Sequence, residues 1–221
     1  MRNPAFTRRM VTSLTVAGCL IPLAFVAYRT LTGTLGANPI SNLTNRTGLW
    51  SLRLLLATLA VTPLRRLSGW TWLMPARRIL GLFAFFYGLL HLVVYLALNQ
   101  AFSATLILGD LSRPFIIAGY LSFTLMVPLA ATSTMGAMRA LGPRWQLLHR
   151  LIYAVAILAV LHYLLLVKID FQPPEAYGAL LVLLLSYRIG ASLRRRIAGP
   201  VSRHAQTRTT QTSGQSPQRS D

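Results

Sequence analysis

The chain of 221 residues is 54% hydrophobic and only 12% charged, with a mean hydropathy of +0.53. A soluble domain carries about 25% charged residues, so this composition excludes one and indicates a membrane protein. The net charge of +18 comes from 22 basic residues that lie between apolar runs rather than on one soluble face, so membrane lipids are the expected partner and nucleic acid is not.

Six apolar segments follow one another along the chain and predict six transmembrane helices. They cover residues 10–28, 49–64, 79–98, 115–131, 147–167 and 176–189. A spanning helix needs about 17–25 residues. The second segment is interrupted by Arg53 and the sixth is short, so each can span the membrane only if its flanking side chains extend to the interfaces. The prediction is an all-α, polytopic membrane helical bundle over residues 1–197, followed by a disordered cytoplasmic tail at 198–221. No internal repeat is visible in the sequence.

The distribution of the basic residues predicts the orientation of this bundle. Seventeen of the 22 would lie on the side that carries both termini, and five on the other. Those five are Arg29, Arg46, Arg53, Arg113 and Lys168. Because cytoplasmic loops are enriched in lysine and arginine, both termini are predicted to face the cytoplasm, in a multi-pass protein of the bacterial inner membrane.

Three histidines within the predicted spans are the candidates for metal ligation: His91, His149 and His162. An ionisable side chain inside the hydrocarbon is costly and therefore a functional candidate, although an interhelical hydrogen bond is the alternative for any single histidine. The fourth histidine, His204, falls in the predicted tail. The single cysteine, Cys19, excludes an intramolecular disulfide and a CxxC redox pair.

Two of these histidines are predicted at matched depth. His91 lies twelve residues into the third span and His162 fourteen residues into the fifth, about 18 and 21 Å along helices that both enter from the cytoplasm. One histidine on each of two facing helices is the arrangement that a bis-histidine heme requires. Small residues three positions earlier, Gly88 and Ala159, are interpreted as leaving space for a porphyrin.

The remaining candidates allow more than one role. His149 precedes His162 by thirteen residues, about 140° away around a straight helix, and at its level the third helix offers only Arg77 and Arg78. His149 could ligate an inner heme with a non-histidine partner or with none, or hydrogen-bond a flavin or a propionate. Arg53 could pair with a heme propionate or simply extend to the interface.

Seven segments give the chain a recognisable resemblance. They are LGANPI (35–40), LLLATLAVTPLRRL (54–67), RRILGL (77–82), FFYGLLHLVVYL (85–96), SRPFIIAGYLSF (112–123), ATSTMGAMRALGPRWQLLHRLIY (131–153) and LAVLHYLLLVK (158–168). The chain resembles the ferric reductase-like transmembrane domain family, and within it the heme-binding membrane subunits of the bacterial periplasmic methionine sulfoxide reductase system.

This resemblance implies one or two hemes b at His91, His149 and His162, and a flavin mononucleotide (FMN). The resemblance further implies a periplasmic molybdopterin partner, MsrP, that reduces methionine sulfoxide in damaged proteins. We also treat Arg53, Arg77 and Arg78 as candidate cofactor contacts. The expected function is therefore electron transfer to that partner by a subunit that is not itself catalytic.

Two other classes of function compete with this expectation. A self-sufficient transmembrane metalloreductase or oxidase would add a cytoplasmic flavin and nicotinamide domain, and the roughly 30 residues after Ile189 are too few for one. The electrons are therefore expected from the quinol pool or a cytoplasmic flavin reductase. A small transporter would need broken helices and a polar site at the midplane, whereas the interior polar groups here are mainly histidines.

Overall fold

The computed structural model describes residues 4–166 and 174–197, which form helices and short connections. The helices are α1 (Pro4–Leu31), α2 (Pro39–Ser68), α3 (Met74–Val94), α4 (Ala104–Asp110), α5 (Pro114–Ala131), α6 (Met135–Leu141), α7 (Pro143–Leu148), α8 (Leu151–Leu166) and α9 (Pro174–Ile197). A 3₁₀ turn at Thr71–Leu73 precedes α3, and a π-helix at Tyr95–Asn99 extends it. No strand occurs within these described ranges.

Six helical stretches are long and apolar enough to cross a membrane, which confirms the predicted all-α, six-span class. They are Ala5–Leu31, Pro39–Ser68, Thr71–Asn99, Pro114–Ala131, Pro143–Leu166 and Pro174–Arg194. The orientation of the termini stays a prediction.

The second and sixth spans are longer than the apolar segments that predicted them. Helix α2 has 30 residues and α9 has 24. Proline at the first position of α2 starts the helix within polar sequence, since its fixed φ suits a helix and it has no N–H to satisfy. At the other end Gly69 adopts a left-handed conformation with φ of 73°, and its N–H bonds the Arg65 carbonyl. Apolar segments therefore show only the centre of each helix.

The fifth span is not the continuous helix that the sequence predicted. Helices α7 and α8 are separated by a turn at His149 and Arg150. The angle between His149 and His162 calculated for a straight helix therefore does not apply to this chain.

Four helices form the core, and they pack mainly as two pairs. Helix α2 lies along α3, and α5 lies along α8, with further contacts between α3 and α5 and between α2 and α8. Helix α1 packs on α3, where the buried Tyr87 hydroxyl donates to the Cys19 carbonyl at 2.8 Å. This arrangement sets the two histidine-bearing helices, α3 and α8, within one bundle.

The chain divides into two compact units, Met1–Leu184 and Leu185–Asp221. The four core helices belong to the first unit, and the described part of the second is the C-terminal half of α9. The predicted tail at 198–221, with His204, lies outside the described residues, as does Lys168.

Candidate functional site

His91 of α3 and His162 of α8 face each other inside the bundle. Their ring centroids are 6.2 Å apart, and the ring planes are inclined at 74°. An imidazole nitrogen binds a transition metal at about 2 Å, and the ring centroid lies about 1 Å behind that nitrogen. Two rings on opposite sides of one metal therefore have centroids about 6 Å apart, so the observed separation fits a pair of axial ligands.

The hydrogen bonds of the two rings assign their tautomers. Nδ1 of His91 lies 2.9 Å from the Thr44 carbonyl oxygen, and Nδ1 of His162 lies 2.6 Å from that of Phe115. Because a carbonyl only accepts, both Nδ1 atoms carry the proton and donate, which leaves both Nε2 lone pairs available. Histidines that bind metals commonly donate their other ring N–H in this way. The donor set therefore fits a heme iron held between the two rings.

His149 does not join this pair. Its ring stacks on Trp145, with the ring centroids 3.8 Å apart, and its Nδ1 lies 3.1 Å from the Trp145 carbonyl of α7. Its Nε2 is 3.5 Å from Ser133 Oγ. Half-buried Arg77 is near enough for its charge to act on His149, whereas Arg78 is exposed. Among the residues that the structure describes, no group of three or more His, Cys, Asp or Glu side chains could hold a metal ion.

Comparison with known proteins decides the family. The family described as ferric reductase like transmembrane component matches residues 47–160. The protein-methionine-sulfoxide reductase heme-binding subunit MsrQ of Rhodospirillum rubrum is 48% identical over 82% of this chain and 88% of the relative. The MsrQ subunit of Azospira oryzae is 50% identical over 82% of this chain and 78% of the relative, and that of Herminiimonas arsenicoxydans is 45% identical over 85% and 88%.

The chain belongs to the MsrQ family of heme-binding subunits. This confirms the resemblance seen in the sequence. The region matched to the ferric reductase family contains His91 and His149 and ends two residues before His162. No solved structure matches the chain.

Arg53 lies near the middle of α2 and is held by aromatic residues. Its Nε donates to the Tyr177 hydroxyl at 2.9 Å, and its guanidinium carbon lies 5.0 Å from the ring centroid of Trp50. Tyr177 is in the first turn of α9, so Arg53 links α2 to α9. A guanidinium at this depth needs such partners because the hydrocarbon supplies none.

A polar cluster lies just beyond His91 in the chain. Asp110 Oδ2 accepts from the Tyr95 hydroxyl at 2.7 Å and from Gln100 Nε2 at 2.6 Å, and Asp110 Oδ1 lies 3.4 Å from Arg113. Tyr95 follows His91 by one helical turn, within the π-helix. Nothing in the sequence pointed to this cluster, because its members come from the π-helix, from α4 and from the connections that follow each of them.

The space predicted beside Gly88 is already filled. A Cβ at Gly88 would lie 3.1 Å from Ser51 Oγ and 3.6 Å from a ring carbon of Phe123, so this glycine allows close packing of α3 on α2 and α5. The glycines that touch the paired histidines are Gly48 and Gly119 instead. Spacing from the histidines does not indicate these two glycines, because they lie on other helices, α2 and α5.

Proposed function

We propose that this chain carries heme b between His91 and His162 and transfers electrons across the bacterial inner membrane to MsrP, a periplasmic molybdopterin enzyme that reduces methionine sulfoxide in oxidised proteins. The observation that supports this most directly is the facing imidazole pair, with both Nδ1–H groups bonded to backbone carbonyls. The chain itself would not contact methionine sulfoxide.

The residues of the chain have three tasks in this proposal. His91 and His162 would hold the iron, and their bonds to the Thr44 and Phe115 carbonyls would increase the basicity of both rings. Heme, when bound, supplies one-electron chemistry whose potential depends on its axial ligands and its burial. Fully buried side chains of α2, among them Leu55 and Leu59, would exclude water from the bundle interior.

A second cofactor, either another heme b or FMN, is proposed near the cytoplasmic side. The candidate contacts of this second cofactor are His149, Arg77 and Arg78. Arg53 remains a candidate for pairing with a heme propionate. The support is chemical, since guanidinium groups bind carboxylates and phosphates through two parallel hydrogen bonds. Electrons would reach this side from a quinol or a cytoplasmic flavin reductase.

Single substitutions of the histidines test the proposal. Purified His91→Ala and His162→Ala should each lose the low-spin b-type heme spectrum, because each removes one axial ligand. His204→Ala is the matched control and should keep the wild-type heme content. His149→Ala should leave the His91–His162 heme in place. If both His91→Ala and His162→Ala retain the wild-type heme content and absorption spectrum, the proposed ligation is wrong.

A further inference from the structure

The two helix pairs of the core make the same contacts at equivalent positions. His91 Nδ1 bonds the Thr44 carbonyl of α2, and His162 Nδ1 bonds the Phe115 carbonyl of α5, with 47 residues between the partners in both cases. In the reverse direction, Ser51 Oγ donates to the Ala84 carbonyl at 2.8 Å, and Ser122 Oγ donates to the Val155 carbonyl at 3.1 Å, with 33 residues between the partners in both.

These contacts reveal an internal repeat, so the expectation that the chain contains none was wrong. Each residue of these contacts in α5 and α8 follows its counterpart in α2 and α3 by 71 residues. Few residues are identical between the two copies. The identical pairs include Gly48 and Gly119, Ser51 and Ser122, and His91 and His162. Because so few residues are shared, the sequence does not show the repeat, and the contacts do.

The repeat includes one glycine beside each histidine. Gly48 and Gly119 each lie four residues after the acceptor carbonyl, so they are one turn further along the same helix face. A Cβ at Gly48 would lie 2.9 Å from His91 Nδ1, and one at Gly119 would lie 2.8 Å from His162 Nδ1. Each imidazole therefore rests against helix backbone, in space that any side chain would occupy.

We propose that Gly48 and Gly119 are positioning residues of the heme site, assisted by the Ser51 and Ser122 hydrogen bonds between the helices. The inference rests on the proposed ligation by His91 and His162. The absent side chain lets each ring approach the carbonyl, which fixes the tautomer and the rotation of the ring. The serine bond holds the two helices of each pair at the distance that this approach requires.

Alanine substitutions at the glycines provide the test. Gly48→Ala and Gly119→Ala should each lower heme affinity by roughly ten- to a hundredfold, the usual cost of disturbing the groups that orient a ligand. The heme that remains bound should show a changed low-spin ferric electron paramagnetic resonance spectrum and a shifted reduction potential, because both depend on imidazole orientation. Gly81→Ala is the control, since its Cβ would meet Thr58 Cγ2 at 3.6 Å and Thr58 Oγ1 at 3.9 Å, both ordinary contact distances.

A second pair of variants covers the case in which the glycine variants do not accumulate. Ser51→Ala and Ser122→Ala add no atoms and should change the same spectrum and potential, to a smaller extent. Ser68→Ala is their control, because this hydroxyl donates to the Leu64 carbonyl of its own helix and accepts from the Trp70 N–H two residues later.

The outcomes separate this inference from the proposed function. Loss of heme in the histidine variants, together with wild-type affinity, spectrum and potential in every glycine and serine variant that accumulates, would overturn the positioning role alone. Wild-type heme in the histidine variants would overturn the ligation itself.

Discussion

The Tyr87 hydroxyl shows how a single polar group can join two membrane helices. The side chain is 1% exposed, and its hydroxyl donates to the Cys19 carbonyl of α1. Tyr87→Phe should lower the free energy of unfolding by about 1 kcal/mol, the usual net contribution of one hydrogen bond. Thermal unfolding of purified protein in detergent measures this, and the heme absorption spectrum should be unchanged.

Tyr28→Phe is the matched control, because Tyr28 lies in α1 with 64% of its surface exposed. An unfolding temperature of Tyr87→Phe equal to that of the wild type would show that the bond to α1 contributes nothing.

At the same scale, the sequence permits the depth of a histidine to be predicted but not its orientation. Depth follows from counting, since each helical residue adds about 1.5 Å along the axis. Orientation depends on helix rotation and on carbonyls 47 residues away, at Thr44 and Phe115. For the same reason the sequence indicated Gly88, on the same helix as His91, as the glycine of the site. It did not indicate Gly48, which lies on α2 and contacts the His91 ring.

Among the elements, the connection between α3 and α5 is organised around Asp110. The π-helix at Tyr95–Asn99 leads into Ala101 and Phe102, two non-glycine residues with φ of 46° and 54°. Such conformations cost about 1–3 kcal/mol each and persist only when the surroundings enforce them. Asp110, bonded to Tyr95 and Gln100, provides that enforcement.

Asp110→Asn should therefore loosen this connection. The substitution removes the charge that pairs with Arg113 and weakens the charge-assisted bonds from Tyr95 and Gln100. Hydrogen–deuterium exchange over residues 95–113 should become faster. Glu175→Gln, at an exposed acid in the first turn of α9, should leave exchange there unchanged. Equal exchange in Asp110→Asn and wild type would contradict this view of the connection.

Helix existence could be predicted from sequence at this scale, and helix ends could not. Apolar segments marked all six spans because each must match the bilayer thickness. Their ends depend on capping residues. In α2, Pro39 at the start and Gly69 at the end allow the helix to continue through polar residues. The turn at His149 and Arg150 was missed because it lies within a segment that hydropathy reads as continuous.

For the whole molecule, the arginine distribution predicts the orientation in the membrane. A reporter that is active only in the periplasm should be silent when fused after Asp221 and active when inserted near Asn38. Fusions of a reporter that is active only in the cytoplasm should give the opposite pattern and serve as the control. Activity of the periplasmic reporter at Asp221 would reverse the topology. His91 and His162 would then lie in the cytoplasmic half of the bilayer instead of the outer half.

The whole molecule is also predicted to relay electrons without oxidising NADPH by itself. Hydride transfer from NADPH requires a nicotinamide held against a flavin, whereas the proposed heme between His91 and His162 would accept one electron at a time. Anaerobic mixing of purified protein with NADPH should leave the heme oxidised, and adding a flavin reductase or a quinol should reduce it. Rapid reduction by NADPH alone would instead support a self-sufficient oxidoreductase.

The 71-residue offset has an evolutionary consequence. One helix pair, such as α2 with α3, carries a complete set of contacts for one histidine, so two identical copies would enclose a heme about a twofold axis. Duplication and fusion of an ancestral gene for one such hairpin would yield the present core. The same offset pairs His149 with Arg78, so the two halves differ at the residues proposed to contact the second cofactor. A fused chain can differ between its halves at such a position, whereas a homodimer of identical hairpins cannot.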